Sequence, residues 1–91
     1  MNTLIDFYAD WCGPCIAMKP VFESLKSSHG SKINFKQVNV DEDPAQAQKF
    51  GVMSIPTFVV IDKEGKEIDR KMGAMPKESF EEWVKGHFAQ V

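Results

Sequence analysis

The sequence predicts an α/β fold whose seven elements follow in the order β-α-β-α-β-β-α. Apolar runs of strand length alternate with segments in which apolar residues recur at helical spacing, and the run at residues 4–9 is broken only by Asp6. Such a run is typical of a strand that is covered on both faces within a partly parallel sheet. We therefore expect a central four-stranded mixed sheet flanked by helices.

The first helix and the second strand follow this opening strand. Apolar residues recur at helical spacing between residues 14 and 28, and Pro20 inside this segment should kink the helix because proline has no backbone N–H. Residues 29–31, which include Gly30, should end the helix. Residues 33–40 alternate in polarity well enough to predict the second strand.

A short second helix is predicted from its capping signals. The acidic run 41–43 offers side chains that can cap a helix N-terminus, and Pro44 suits the first helical turn. The helix should run to Phe50, with Gly51 as a left-handed stop.

A β-hairpin and a final helix complete the chain. Residues 57–61 are rich in β-branched side chains, 63–66 have the composition of a turn, and 67–72 can return as the hairpin partner, closed by Gly73. The last helix should begin near Pro76. Its apolar face should consist of Phe80, Trp83, Val84 and Phe88.

Size and composition limit the possible functions. A chain of 91 residues with 43% hydrophobic residues can form one modest core, so we expect a single domain over residues 1–91. The net charge of -2, without a basic stripe, argues against nucleic acid as a partner. No apolar stretch reaches the roughly 20 residues that cross a bilayer, and we recognise no signal peptide. We therefore expect a cytoplasmic protein without a membrane partner.

Cys12 and Cys15 are the two cysteines, and their spacing indicates redox chemistry. A bridge across so short a loop removes little unfolded-state entropy, which argues against a structural role. The pair follows a predicted strand and opens a predicted helix, the usual setting of a redox dithiol. The helix dipole and the free N–H groups of the first turn should stabilise a thiolate at Cys12, the attacking species. Cys15 should be less exposed and act as the resolving thiol.

A zinc site is the alternative interpretation of this spacing. A closed structural site needs four ligands, and only His29 and His87 remain as nitrogen donors. Each histidine lies near a predicted helix C-terminus, where a partly protonated imidazole is favourable without any further role. We expect no metal and no bound cofactor.

Three segments resemble the thioredoxin family. They are Phe-Tyr-Ala-Asp-Trp-Cys-Gly-Pro-Cys at residues 7–15, Ile-Pro-Thr at 55–57 and Gly-Ala at 73–74. The resemblance covers nearly the whole chain from residue 4 onward. It implies a thioredoxin-like fold, with strand 4–9 between strands 33–40 and 57–61. It also implies disulfide-containing protein substrates and a thioredoxin reductase as the electron donor.

The resemblance also implies roles for individual residues. Pro56 would be a cis proline beside the sulfurs, although most prolines that open a strand are trans. Asp6, which interrupts a buried run, would have a raised pKa and accept the Cys15 proton through water, unless it is an ordinary exposed carboxylate. Trp11 would stay partly exposed instead of packing in the core. The implied substrate-binding residues are Trp11, Gly13, Pro14, Ile55, Pro56, Gly73 and Ala74.

Two features depart from the family pattern. A typical thioredoxin carries a strand and a helix before the segment that begins here at Thr3, and this chain has neither. Strand 33–39 would then be a sheet edge with Lys36 as its only charged residue, so we expect lower stability or a weak dimer. A strictly monomeric sedimentation profile at high concentration would count against the dimer. Gln37 stands where many thioredoxins have a lysine near Asp6, which predicts a higher Asp6 pKa than is usual in the family.

The leading functional hypothesis is a protein-disulfide reductase, because Gly-Pro between the cysteines goes with the reducing members of the family. A second hypothesis is a module that binds a partner through the patch around Trp11 and Pro56, with the thiols as a switch. A glutaredoxin-like reductase that depends on glutathione, and a metal or cluster bound between subunits, also stay open.

Overall fold

The computed structural model describes residues 1–88 and confirms the predicted order of elements. The predicted bounds of β1, α1 and β2 are each within one residue of the observed ones. The elements are β1 (Thr3–Tyr8), α1 (Gly13–His29), β2 (Asn34–Asn39), α2 (Pro44–Lys49), β3 (Thr57–Ile61), β4 (Glu67–Met72) and α3 (Lys77–Lys85).

The four strands form one mixed sheet in the order β2-β1-β3-β4. Strand β1 runs parallel to β2 and antiparallel to β3, and β3 and β4 form an antiparallel hairpin. The expected place of β1 between β2 and β3 is therefore confirmed. Within residues 1–88, β2 is an edge strand, and its self-association stays a prediction.

Two apolar layers cover the two faces of the sheet. On one face, Leu4 and Phe58 pack against side chains of α1 and α3, including Phe22 and Phe80. The rings of Phe22 and Phe58 lie 6.4 Å apart between centroids, and those of Phe58 and Phe80 lie 4.7 Å apart. On the other face, an apolar cluster contains Ile5, Phe7, Val38 and Val59, with Ala47 and Phe50 from the region of α2 packed against it. Strand β1 is therefore buried between both layers, and the loop that leads to the cysteines follows directly from it.

The helix boundaries follow the capping signals of the sequence. Asp43 caps α2, because its Oδ1 accepts a hydrogen bond from the Gln46 N–H at 3.3 Å. Gly51 follows with a φ of 62°, which confirms the predicted left-handed stop. None of the helices in residues 1–88 is long and apolar enough to span a membrane.

The end of the last helix differs from the sequence prediction. Helix α3 ends at Lys85 with Gly86 as its C-cap, so Phe88 lies outside the helix. The side chain of Phe88 is nevertheless buried in the same core as Phe80 and Val84. The prediction that Phe88 belongs to the helix was therefore wrong. An apolar residue is favoured at any buried position, so the apolar pattern continues past Lys85 although the helix does not.

Candidate active site

Cys12 and Cys15 form a disulfide at the N-terminus of α1, with Cα atoms 5.2 Å apart. Cys12 is the N-cap of the helix, and its extended backbone (φ -85°, ψ 112°) turns the chain from the loop after β1 into the first helical turn. The Cys15 N–H donates a hydrogen bond to Cys12 Sγ at 3.2 Å. A backbone N–H of the first turn, which has no partner within the helix, therefore points at the sulfur of Cys12.

The exposure of the two cysteines does not follow the prediction. Cys12 is 4% exposed and Cys15 is 6% exposed, so the expectation that Cys15 is the less exposed residue was wrong. The loop before β3 covers Cys12, whose Sγ lies 3.7 Å from the carbonyl oxygen of Ile55. What distinguishes the two sulfurs is the N-cap position of Cys12.

Pro56 lies in this covering loop, and its peptide bond with Ile55 is cis, as expected. Pro56 is buried, and its carbonyl oxygen accepts a hydrogen bond from the Gly73 N–H at 2.8 Å. Gly73 has a φ of 87°, a conformation that favours glycine and lets the chain turn sharply after β4. These contacts bring Gly73 and Ala74, which are distant in sequence, beside the Ile55-Pro56 segment.

Asp6 is buried beneath the helix that carries the cysteines. Its side chain is 5% exposed, and its Oδ1 has no hydrogen-bond partner among the described residues. Loss of solvation by burial raises the pKa of Asp6 to about 7. In the sheet register Asp6 lies opposite the neutral Gln37. Asp6 is thus buried and its pKa is raised, as expected.

A cavity of about 340 Å³ joins Asp6 to Cys15. Helix α1 contributes Cys15, Lys19 and Glu23 to its wall, and Gln37 contributes from β2. A polar cavity of this size has room for several water molecules. The arrangement provides a place for water between the Asp6 carboxylate and Cys15.

Trp11 is 71% exposed next to the disulfide, as expected for a surface aromatic residue. Its Nε1–H donates a hydrogen bond to Asp41 Oδ2 at 2.8 Å. Asn39 accepts a hydrogen bond from the Asp41 N–H at 2.9 Å and donates one to Asp10 at 3.5 Å. The contacts of Asn39 and Asp41 with this site were not predicted from the sequence. The one hint in the sequence was Trp11 itself, because the N–H of an indole ring usually finds a hydrogen-bond acceptor.

Metal ligands are not gathered in the part of the chain that the structure describes. No group of three or more His, Cys, Asp or Glu side chains there could hold a metal ion. His87 lies instead against Asp69, with 2.9 Å between Nε2 and Oδ2. Asp69 also accepts a hydrogen bond from Trp83 Nε1 at 3.0 Å, so this histidine helps to attach the end of α3 to β4.

The comparisons with known proteins agree with this geometry. The sequence model of the thioredoxin family matches residues 1–86. A thioredoxin of Staphylococcus saprophyticus is 45% identical over 84 residues, which cover 92% of this chain and 80% of that protein. A thioredoxin of Bacillus subtilis is 44% identical with the same coverage.

A solved structure has the same fold. Mitochondrial thioredoxin 3 from Saccharomyces cerevisiae, in its oxidized form, superposes with a TM-score of 0.81 and 36% sequence identity. The match covers 93% of this chain and 77% of the yeast chain. With the Cys12–Cys15 disulfide at the start of α1, these matches show that the chain belongs to the thioredoxin family and is a thiol–disulfide oxidoreductase.

Proposed function

We propose that Cys12 is the attacking thiol and Cys15 the resolving thiol in the reduction of disulfides in other proteins. The observation that carries this assignment is the N-cap position of Cys12, where the Cys15 N–H lies 3.2 Å from Sγ. After reduction, the same N–H and the helix dipole stabilise a negative charge on Cys12 Sγ. This thiolate attacks one sulfur of the substrate disulfide. A bond forms between that sulfur and Cys12, and the other substrate sulfur leaves as a thiolate that takes a proton from water.

Cys15 completes the reaction. Its thiolate attacks Cys12 Sγ in the mixed disulfide, the bond to the substrate breaks, and the second substrate sulfur leaves as a thiolate. The product is the Cys12–Cys15 disulfide that the structure contains. Two electrons have moved from the dithiol to the substrate. We propose that a thioredoxin reductase returns two electrons and two protons and restores the dithiol.

Asp6 is proposed to accept the proton of Cys15 before the second attack. Its unpaired Oδ1 and the cavity that it shares with Cys15 support a transfer through water. A carboxyl group with a pKa of about 7 is about half ionised near neutral pH, so it can both accept and release a proton there. A carboxylate with the ordinary value of 3.8 would be a much weaker base.

The substrate is proposed to lie across the exposed surface around the disulfide. Trp11, Gly13 and Pro14 are exposed on the side of α1, and Ala74 is exposed on the side of β4. Ile55 is half-buried and leads into the buried Pro56, whose carbonyl is tied to Gly73. This surface combines apolar side chains with an accessible loop, as expected where an extended peptide segment binds.

The cytoplasm is the proposed location, because a dithiol that must stay reduced is suited to a reducing compartment. The reduction potential tests this and the direction of electron flow. Equilibration with a dithiothreitol or glutathione series should give a value near about -270 mV, typical of a reductase. A value of about -120 to -180 mV would instead indicate an oxidase or isomerase. Rapid reduction by glutathione alone, without a thioredoxin reductase, would favour the glutaredoxin-like alternative.

A Cys15→Ser variant tests the assignment of the two thiols. Without the resolving thiol, the variant should accumulate mixed disulfides with substrate proteins, and these should disappear on treatment with dithiothreitol. The matched control is Cys12→Ser, which keeps one thiol but should trap far less. Equal trapping by the two variants would refute the assignment. Unchanged partner affinity without any covalent adduct would favour the alternative of a binding module with a redox switch.

A further inference from the structure

An apolar groove of about 210 Å³ lies beside the disulfide. Its walls include Trp11, Val52, Met53 and Ile55, and the carbonyl of Ile55 is the group that lies 3.7 Å from Cys12 Sγ. Trp11 and Met53 stand out from the surface, with exposed fractions of 71% and 97%. If a substrate bound at Cys12 places a large apolar side chain in this groove, Trp11 and Met53 would shield that side chain from water. Met53 is flexible and polarizable, which suits contact with side chains of different shapes.

One carboxylate is held at the rim of this groove. Asp41 Oδ2 accepts the Nε1–H of Trp11 at 2.8 Å, and the Asp41 N–H is bound by Asn39 Oδ1 at 2.9 Å. Asn39 is 8% exposed, so this anchor is itself largely fixed. A carboxylate has lone pairs for about four hydrogen bonds, so Asp41 retains acceptor capacity for a bound cation.

The charged group that is hydrogen-bonded to the lining of the groove is the Asp41 carboxylate. None of the residues that line the groove is a lysine, arginine or histidine. Glu42 and Asp43 follow Asp41 and are exposed. Lys49 is also exposed and lies 5.7 Å from the centroid of the Phe50 ring, and Arg70 is paired with Glu67. A bound segment with an acidic residue at the rim would be repelled, and one with a basic residue would be attracted.

We propose that this groove selects disulfide partners in which a large apolar residue next to the attacked cysteine is followed by lysine or arginine. The apolar side chain occupies the groove between Trp11 and Met53, and the basic side chain reaches Asp41. This inference rests on the proposed function, because the same Cys12 must attack the disulfide. It adds a substrate class that is defined by charge.

Two peptide disulfides test the proposal. They are identical except that the phenylalanine beside the attacked cysteine is followed by lysine in one and by glutamate in the other. The fully reduced protein should reduce the lysine peptide about two- to fivefold faster at low salt, the range expected for one exposed ion pair. The difference should shrink in about 0.5 M salt, where the Debye length falls to about 4 Å.

Substitutions assign the preference to one residue. Asp41→Asn removes the charge but keeps an oxygen that can accept the Trp11 N–H, so most of the rate difference between the two peptides should disappear. The control Glu64→Gln removes an exposed charge from the turn between β3 and β4 and should keep the preference. Equal rates with the unmodified protein at low salt, or a preference that is undiminished in Asp41→Asn, would overturn the proposal and leave the reductase function standing. Failure to reduce either peptide would refute both.

Discussion

The buried carboxyl group of Asp6 gives the sharpest prediction, because an Asp6→Asn substitution should change the stability of the protein in a pH-dependent way. The pKa of Asp6 rises from the ordinary value of 3.8 to about 7 in the folded state. At about 1.4 kcal/mol per pH unit, this rise corresponds to about 4 kcal/mol. Burial favours the protonated form of Asp6 in the folded protein, whereas the unfolded chain ionises above pH 3.8. Between pH 3.8 and about 7, unfolding therefore releases a proton and becomes more favourable as the pH rises.

The sign follows from the raised pKa. The contribution of Asp6 to stability is fully present below pH 3.8, declines as the pH rises, and is lost once the pH has passed about 7. The asparagine side chain does not titrate, so any cost of burying the amide is constant. Relative to the unmodified protein, Asp6→Asn should therefore gain about 4 kcal/mol across this pH window and change no further at higher pH.

Urea unfolding of the oxidised proteins, measured at several pH values, tests this prediction. The disulfide removes the titration of both thiols, and the other ionisable groups cancel in the difference between the two proteins. Asp10→Asn is a matched control, because Asp10 borders the same cavity but is exposed. A stability difference between Asp6→Asn and the unmodified protein that does not vary with pH would refute the argument. In the reaction itself, the variant should resolve mixed disulfides about 10²-fold more slowly near neutral pH, the lower end of the range for a general base.

Two further substitutions test the electrostatics of the structure. Gln37→Lys places a cation opposite Asp6 and should lower its pKa by about one pH unit, measured by NMR titration of the side-chain carboxyl carbon; an unchanged midpoint would contradict the role given to Gln37. Asp69→Asn should destabilise the protein at neutral pH by less than about 1 kcal/mol, because this carboxylate is partly exposed. Hydrogen bonds from Trp83 and His87 lower the Asp69 pKa, so its contribution is present above pH 3.8 and is lost as the pH falls through the lower folded-state value. Urea unfolding at neutral and acidic pH measures this difference, and a difference that persists undiminished in acid would contradict the pairing.

The order of elements and the redox pair could be predicted from the sequence because their signals are local. Apolar periodicity, the proline and glycine positions and the acidic run at 41–43 each act within a few residues. The position of Cys12 at the start of a helix is local in the same way, because the cysteines are only three residues apart. The roles implied for Asp6, Trp11 and Pro56 came instead from resemblance to a known family.

The tertiary structure decided what depends on residues distant in sequence. Cys12 is as buried as Cys15 because the loop with Ile55 covers its sulfur, and the sequence near the cysteines carries no signal for that distant loop. The anchoring of Trp11 by Asp41 joins residues 30 positions apart, across the ends of two neighbouring parallel strands. Sequence periodicity determines which face a residue occupies, but the packing of separate elements determines which side chains meet there. The groove and its charged rim, on which substrate selection is proposed to depend, are products of that packing.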